Sequence, residues 1–110
     1  MAGAKLVVLY PRPTNIADFE RIYHHEHVRL AIAKLAGKTK IVATRVLGSP
    51  QKTAAFHRIA EIHFPSLRML EACAASEGGQ QVLAHAASIS TGGPPVVLVT
   101  EEETFSFPNR

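Results

Sequence analysis

Two side chains with useful chemistry lie four residues apart in a segment with helical spacing. Tyr23 and His27 fall on one face of the predicted helix, because residues i and i+4 are neighbours on a helix surface. Phe19 and Leu30 share that face, which should therefore pack against the rest of the protein. An imidazole exchanges protons near neutral pH, and a phenol can donate to a developing oxyanion. The pair indicates either a ligand-orienting site on an apolar wall or a buried pair whose polar atoms satisfy each other or the backbone.

Other polar residues of the same helix offer further chemistry. Glu26 is close to the middle of the apolar face, where burial would raise its pKa as for a general acid or base. Alternatively, it lies near the end of the helix and pairs with Arg29 or Lys34. Glu20, His24 and His27 have a spacing that could ligate one metal ion. About half of the helix surface that carries these residues should face water, and the sequence offers no second pair of ligands. No metal is therefore predicted.

The predicted third strand carries a second group of polar residues. Because side chains alternate along a strand, His57, Glu61 and His63 should share one face, while Phe56 and Arg58 share the other. Glu61 and His63 could form a carboxylate–imidazole pair inside a barrel, which makes His63 the third candidate site residue. The alternative is a satisfied polar ladder where two subunits meet. The sequence does not indicate which face meets the helices.

The cysteine and glycine patterns argue against a cofactor. The chain has one cysteine, so an internal disulfide is excluded. Cys73 stands among alanines with no basic neighbour, which predicts an inert buried thiol rather than a reactive thiolate. The glycine pairs at 78–79 and 92–93 do not precede Lys-Ser or Lys-Thr, so neither matches a phosphate loop. We expect no nucleotide or other cofactor.

Composition sets the class of protein. The 110 residues suit a single domain spanning 1–110. The formal charge is +3 with basic residues spread along the chain, which makes nucleic acid an unlikely partner. The N-terminal apolar run 6–9 is too short for a signal peptide, and no stretch is long enough to cross a membrane. These patterns predict a cytoplasmic protein with no membrane partner.

The elements alternate in a recognisable order. Residues 4–10 predict a first strand, and a helix capped by Thr14 or Asn15 should continue to Gly37. Two further strands, a helix, a shorter helical piece and a last strand are predicted at 41–47, 55–64, 66–75, 80–87 and 96–100, with Gly78-Gly79 breaking the second helix. The order β-α-β-β-α-β predicts an α+β, ferredoxin-like fold with an antiparallel sheet.

The first and last strands are apolar at successive positions, so both faces of the sheet need cover. Two helices can cover only one face, and a second copy of the same sheet is the simplest cover for the other. The sequence therefore predicts a homodimer that forms a dimeric α+β barrel. The tail 102–110, with Phe105 and Phe107 alternating like a short strand, should lie against the partner subunit.

The segment 19–30, FERIYHHEHVRL, resembles the first helix of EthD-like proteins, with Tyr23 and His27 at the motif's Tyr and His. The third strand running into Phe64-Pro65-Ser66 is also similar to that family. So is the stretch 76–94, which ends in Gly92-Gly93-Pro94 and precedes a Val-rich strand. The chain differs in having Arg29 where the family has Pro. It also has His85 where the family often has an acid. Ser88 and Ile89 stand near the positions where the family often has an Asn and a Phe.

The resemblance implies a dimeric α+β barrel with a pocket between sheet and helices. It also implies a small-molecule enzyme or enzyme accessory that acts without a cofactor on a small apolar or aromatic compound, by degradation, oxygenation or proton transfer. Tyr23, His27 and His63 are the expected catalytic residues. The alternative is a non-catalytic dimer that binds a hydrophobic metabolite and assists a monooxygenase system.

Overall fold

The computed structural model describes residues 3–109. Its strands and helices within that range are β1 (Ala4–Pro11), α1 (Ile16–Ile22), a π-helical turn (Tyr23–His27), α2 (Val28–Lys34), β2 (Lys40–Arg45), β3 (Phe56–Phe64), α3 (Leu67–Ala75), α4 (Glu77–Ile89) and β4 (Val96–Glu101). The segments α1, π turn and α2 follow one another without a break and correspond to the single first helix predicted from the sequence. No helix between residues 3 and 109 combines the length and the apolar character needed to span a bilayer.

The four strands form one antiparallel sheet in the order β2-β3-β1-β4. β1 lies in the interior of the sheet, with Ala4 opposite Phe64 of β3 on one side and opposite Glu101 of β4 on the other. β2 pairs only with β3 and is an edge strand, as β4 is at the other end. The predicted ferredoxin-like α+β fold is confirmed.

One face of the sheet is covered by the helices. Alternate residues of β1, from Ala4 through Leu6 and Val8 to Tyr10, are buried, while the residues between them are only partly buried. This alternation is expected for a strand with one face against a core. The core also contains Phe19 from α1, along with these buried residues from the other helices and β3: Ala31, Ala60, Ile62, Phe64, Leu70, Cys73, Val82, Ala86 and Ile89.

The opposite face of the sheet, which we call the open face, is not covered by any helix of residues 3–109. Polar residues occupy part of it, where Lys5 Nζ lies 2.9 Å from a carboxylate oxygen of Glu61. In the edge strand β4, Val96 and Leu98 point to the open face, whereas Val97 and Val99 point to the helix side, opposite Val8 and Leu6. All four β4 residues are 38–55% exposed. Phe105 and Phe107 of the tail are 75% and 85% exposed. Arg110, the last residue of the predicted partner-binding tail, lies outside the described residues.

The break between the last two helices lies at Ser76 and not at Gly78-Gly79 as predicted. The Ser76 hydroxyl caps the first turn of α4 by accepting from the Gly79 N–H at 3.0 Å, and it donates to the carbonyl of Cys73 at the end of α3. A side chain at Gly79 would collide with that carbonyl. The glycine therefore allows close approach of the two helices, and α4 is longer than predicted at both ends.

Candidate functional site

The π-helical turn presents two of the three sequence-predicted site residues, Tyr23 and His27, to the sheet. Asn15 begins α1 by accepting a hydrogen bond from the Asp18 N–H. Five residues later than Tyr23, Val28 donates its N–H to the Tyr23 carbonyl, which is the bonding pattern of a widened turn. Tyr23 and His27, at its two ends, are both buried. Such turns within α-helices occur frequently at functional sites.

Tyr10, on the interior strand β1, forms a hydrogen bond with one nitrogen of His27. Its hydroxyl lies 3.0 Å from His27 Nε2 and the side chain is fully buried. The rings of Tyr10 and His27 meet edge to face, whereas the ring of Tyr23 is stacked on His27. Tyr10 is not among the residues predicted from the sequence, although it is the last of four alternating inward positions on β1 and the only one of them with a polar side-chain atom.

His85 of α4 holds the other nitrogen. The two Nδ1 atoms of His27 and His85 are 2.9 Å apart, and the rings are nearly parallel with centroids 5.2 Å apart. Beyond it, His85 Nε2 lies 3.8 Å from a carboxylate oxygen of the exposed Glu26. A hydrogen-bonded chain, which we call the relay, therefore runs from Tyr10 through His27 to His85 at the surface.

Burial controls the protonation of the relay. Desolvation, aided by the neighbouring His85, lowers the pKa of His27 to about 4, so its imidazole is neutral at physiological pH. Desolvation also raises the pKa values of the Tyr10 and Tyr23 hydroxyls, which keeps both protonated. The inner part of the relay is thus uncharged, and its atoms can act as hydrogen-bond donors and acceptors.

A buried ion cluster supports the helix from the other side of Tyr23. Glu20 accepts hydrogen bonds from Arg58 and from His57 Nε2, the latter at 2.9 Å. Burial alone would raise the pKa of the Glu20 carboxyl, but these bonds from Arg58 and His57 outweigh it and lower the pKa. The Arg58 guanidinium also lies 4.8 Å from the centre of the Tyr23 ring, a cation–π distance.

The prediction that His57 and Arg58 point to opposite faces was wrong. The register of β3 shifts beside Pro11, where Tyr10 is opposite Arg58 but Pro11 is opposite Phe56. Such a bulge inserts an extra residue and lets consecutive side chains approach the same side. His57 therefore joins Arg58 at Glu20, and Glu20 is bonded to these two residues instead of forming a metal site with His27. Among residues 3–109, no group of three or more potential ligands could hold a metal.

A cavity lies beside the relay, between the sheet and the helices. It has a volume of about 30 Å³, about one water molecule's share of the liquid, whereas a cavity that binds benzene has about 150 Å³. Tyr10, Tyr23 and His27 line one end, and apolar side chains such as Leu6, Val28, Ile62, Val82 and Leu83 form most of the remainder. A ring-sized ligand therefore requires wall side chains to move.

The remaining predicted residues lie elsewhere. His63 is on the open face, opposite Lys5, with Nδ1 3.9 Å from Glu102, so it does not join Tyr23 and His27. Glu26 is exposed and lies near His85, which neither reading of it anticipated. Phe19 packs against Tyr10 and Tyr23 and does not line the cavity, and neither does Leu30.

The chain matches known structures over nearly its whole length. An EthD family protein from Bacillus halodurans superposes with a TM-score of 0.84, at 24% identity, over 94% of this chain and 100% of that one. The chain has the EthD-like fold. The resemblance seen in the first helix is therefore confirmed at the level of fold. No protein-family model and no curated protein sequence matches the chain.

Two other solved structures superpose on the chain at lower identity. A dimeric ferredoxin-like protein of unknown function from Jannaschia superposes with a TM-score of 0.65, at 17% identity, over 93% of this chain and 100% of that one. A hydroxynitrile lyase from Passiflora edulis has a TM-score of 0.69, at 14% identity, over 96% of this chain and 97% of that one. At these identities the likeness concerns the fold, and the chemistry must be argued from the site.

Proposed function

We propose that this protein exchanges a proton with a small, uncharged, largely apolar molecule bound in the cavity. The observation that carries the proposal is the relay, which connects the Tyr10 hydroxyl at the cavity to His85 at the surface through His27. A general acid or base needs such hydrogen-bond contact with the reacting atom. The occurrence of a hydroxynitrile lyase on this fold supports a small-molecule reaction here.

The lining of the cavity argues for the class of ligand. No Asp, Glu, Lys or Arg side chain is among the lining residues described, so a charged ligand would lose its hydration without gaining a partner. Tyr10, Tyr23 and His27 offer polar contacts at one end only. The best match is an apolar molecule with one hydroxyl or carbonyl, held with its polar group towards His27.

The same proposal includes a homodimer formed through the open face. The exposed apolar side chains of β4 and the tail are unusual for a monomer, because large apolar patches mark interaction sites. The dimeric ferredoxin-like protein from Jannaschia supports this arrangement. His63 would then belong to the subunit interface, separated by the sheet from the proton-exchanging residues.

Binding can be tested with phenol and toluene, two probes of similar size that carry a hydroxyl and a methyl group, respectively, on the same ring. We expect the wild type, or a Leu83→Ala variant with a larger cavity, to bind phenol about tenfold more tightly than toluene, because a polar anchor is worth about 1 kcal/mol or more. His27→Ala should abolish the preference, whereas the exposed His25→Ala should retain it. Equal affinities for phenol and toluene would refute the proposed site. So would a failure of both probes to bind either the wild type or Leu83→Ala.

The small volume of the cavity favours a second function, a protein that binds a metabolite or packs its own side chains without catalysis. Turnover separates the two, because only catalysis requires a particular protonation state of the relay. Once a ligand with an acidic C–H bond is found, exchange of that carbon-bound hydrogen with deuterium from solvent should be accelerated by the wild type and not by His27→Ala. Binding without accelerated exchange would establish the non-catalytic function.

A further inference from the structure

We infer that His85 holds the charge of a proton exchanged with the cavity, while His27 stays neutral and only changes tautomer. This inference rests on the proposed function and assigns a new role within the same site. Burial opposes the charged form of His27, so His27 is a poor place to keep a proton. His85 is hydrogen-bonded to His27 and partly exposed, so it can hold the proton instead.

The hydrogen atoms of the relay can be arranged from its ends. Tyr10 is fully buried, and its hydroxyl hydrogen needs an acceptor, which His27 Nε2 provides at 3.0 Å. His27 Nδ1 then carries a hydrogen and donates to His85 Nδ1. His85 is left with its hydrogen on Nε2, the nitrogen that faces the Glu26 carboxylate. In this resting direction every donor points outwards, from the cavity to the surface.

Uptake of a proton from a ligand reverses the direction. Tyr10 passes its hydroxyl proton to His27 Nε2 and takes the ligand's proton in its place, while His27 passes its Nδ1 proton to His85 Nδ1. The ligand loses one proton and becomes an anion, and His85 gains one and becomes an imidazolium. Tyr10 and His27 each give one proton and receive one, so neither carries a net charge at the end.

The surroundings of His85 suit it to hold that charge. Its side chain is 25% exposed and therefore partly hydrated, whereas His27 is 6% exposed. Glu26 and His27 from the π turn are the titratable groups seen in contact with it, and α4 itself carries one other, Glu77 at its start. The two other helices packed against α4 carry Arg29 and Lys34 on α2 and Arg68 and Glu71 on α3. A positive charge on His85 opposes a second charge on His27, so the pair holds one proton charge at a time.

The reversed relay also changes what the cavity offers. With His27 Nε2 donating to the Tyr10 oxygen, the Tyr10 hydroxyl hydrogen is free to point at a ligand. The site accepts a proton in the resting direction and donates a hydrogen bond to the resulting anion in the reversed one. His85 is thus a positioning residue, because it acts on the ligand through His27 and Tyr10.

The tautomer of His27 can be measured without any ligand, so this test is independent of whether phenol binds. In ¹⁵N-labelled protein, long-range ¹H–¹⁵N spectra distinguish a protonated from an unprotonated ring nitrogen. As the pH is lowered over the range in which the pair takes up one proton, we expect the charge to be on His85 and not on His27. Over the same range the His27 proton should move from Nδ1 to Nε2, with a water molecule in the cavity able to accept from Tyr10.

Variants separate this switch from a general effect of pH. In His85→Gln the tautomer of His27 should not change over this range, whereas in the exposed His25→Gln it should switch as in the wild type. A His27 ring that takes up a second proton before His85 does, or keeps one tautomer throughout the titration of His85, would overturn the inference. The wild-type spectra alone decide this if His85→Gln does not fold.

Discussion

Acid should destabilise this protein through His27. An exposed imidazole in the unfolded chain takes up a proton near pH 6.5, whereas the folded protein keeps His27 neutral down to about pH 4. Between these values the unfolded state binds more protons, so stability is present above about pH 6.5 and is lost as the pH falls towards 4. Each pH unit is worth about 1.4 kcal/mol, which gives a loss of about 3 kcal/mol from this residue.

His27→Gln isolates that contribution, because a glutamine amide does not titrate. Urea unfolding followed by circular dichroism, at one protein concentration and at several pH values, gives the free energy of unfolding of each protein. The wild type should lose about 3 kcal/mol more than His27→Gln between pH 7 and pH 4, and the exposed His25→Gln should behave as the wild type. Parallel curves for the wild type and His27→Gln would refute the burial argument.

Three further predictions concern other parts of the molecule. Glu20→Gln should lower the free energy of unfolding by about 3 kcal/mol, because it leaves the buried Arg58 guanidinium without its counter-ion; an unchanged melting temperature would contradict this. A chain ending at Glu101 should dimerise more weakly, because it lacks Phe105 and Phe107, and sedimentation at several concentrations should show a raised dissociation constant. The purified protein should show no visible absorbance band and no stoichiometric metal after dialysis, and either signal would contradict the expected absence of a cofactor.

The local part of the site could be predicted from sequence, and the long-range part could not. Helical spacing alone placed Tyr23 and His27 on one buried face. His85 was noticed only as a departure from a family pattern, because its approach to His27 depends on how α4 docks 58 residues later in the chain. The strand pattern failed at His57, since one extra residue in a bulge reverses the alternation on which such predictions depend.

The fold was predictable for a related reason. Its strands and helices are separated by strong turn signals, and the β-α-β-β-α-β order leaves few topologies once the apolar faces must be covered. The π-helical turn was not predictable, because its five residues carry no composition that distinguishes them from an ordinary helical turn. Tyr10, in contrast, could have been predicted. The alternation of β1 points its side chain inwards, and it is the only one of the four inward residues with a polar side-chain atom.

The shared cap at Ser76 has a consequence for how a ligand can enter. This residue caps the start of α4, and His85 lies nine residues further along, roughly 13 Å down the helix axis. Val82 and Leu83 of the same helix form part of the cavity wall. If α4 swings about Ser76 to widen the cavity, it carries His85 away from His27 in the same movement. Opening by this route and proton conduction are then mutually exclusive, so the ligand would be isolated from bulk water whenever the chain of bonds is complete.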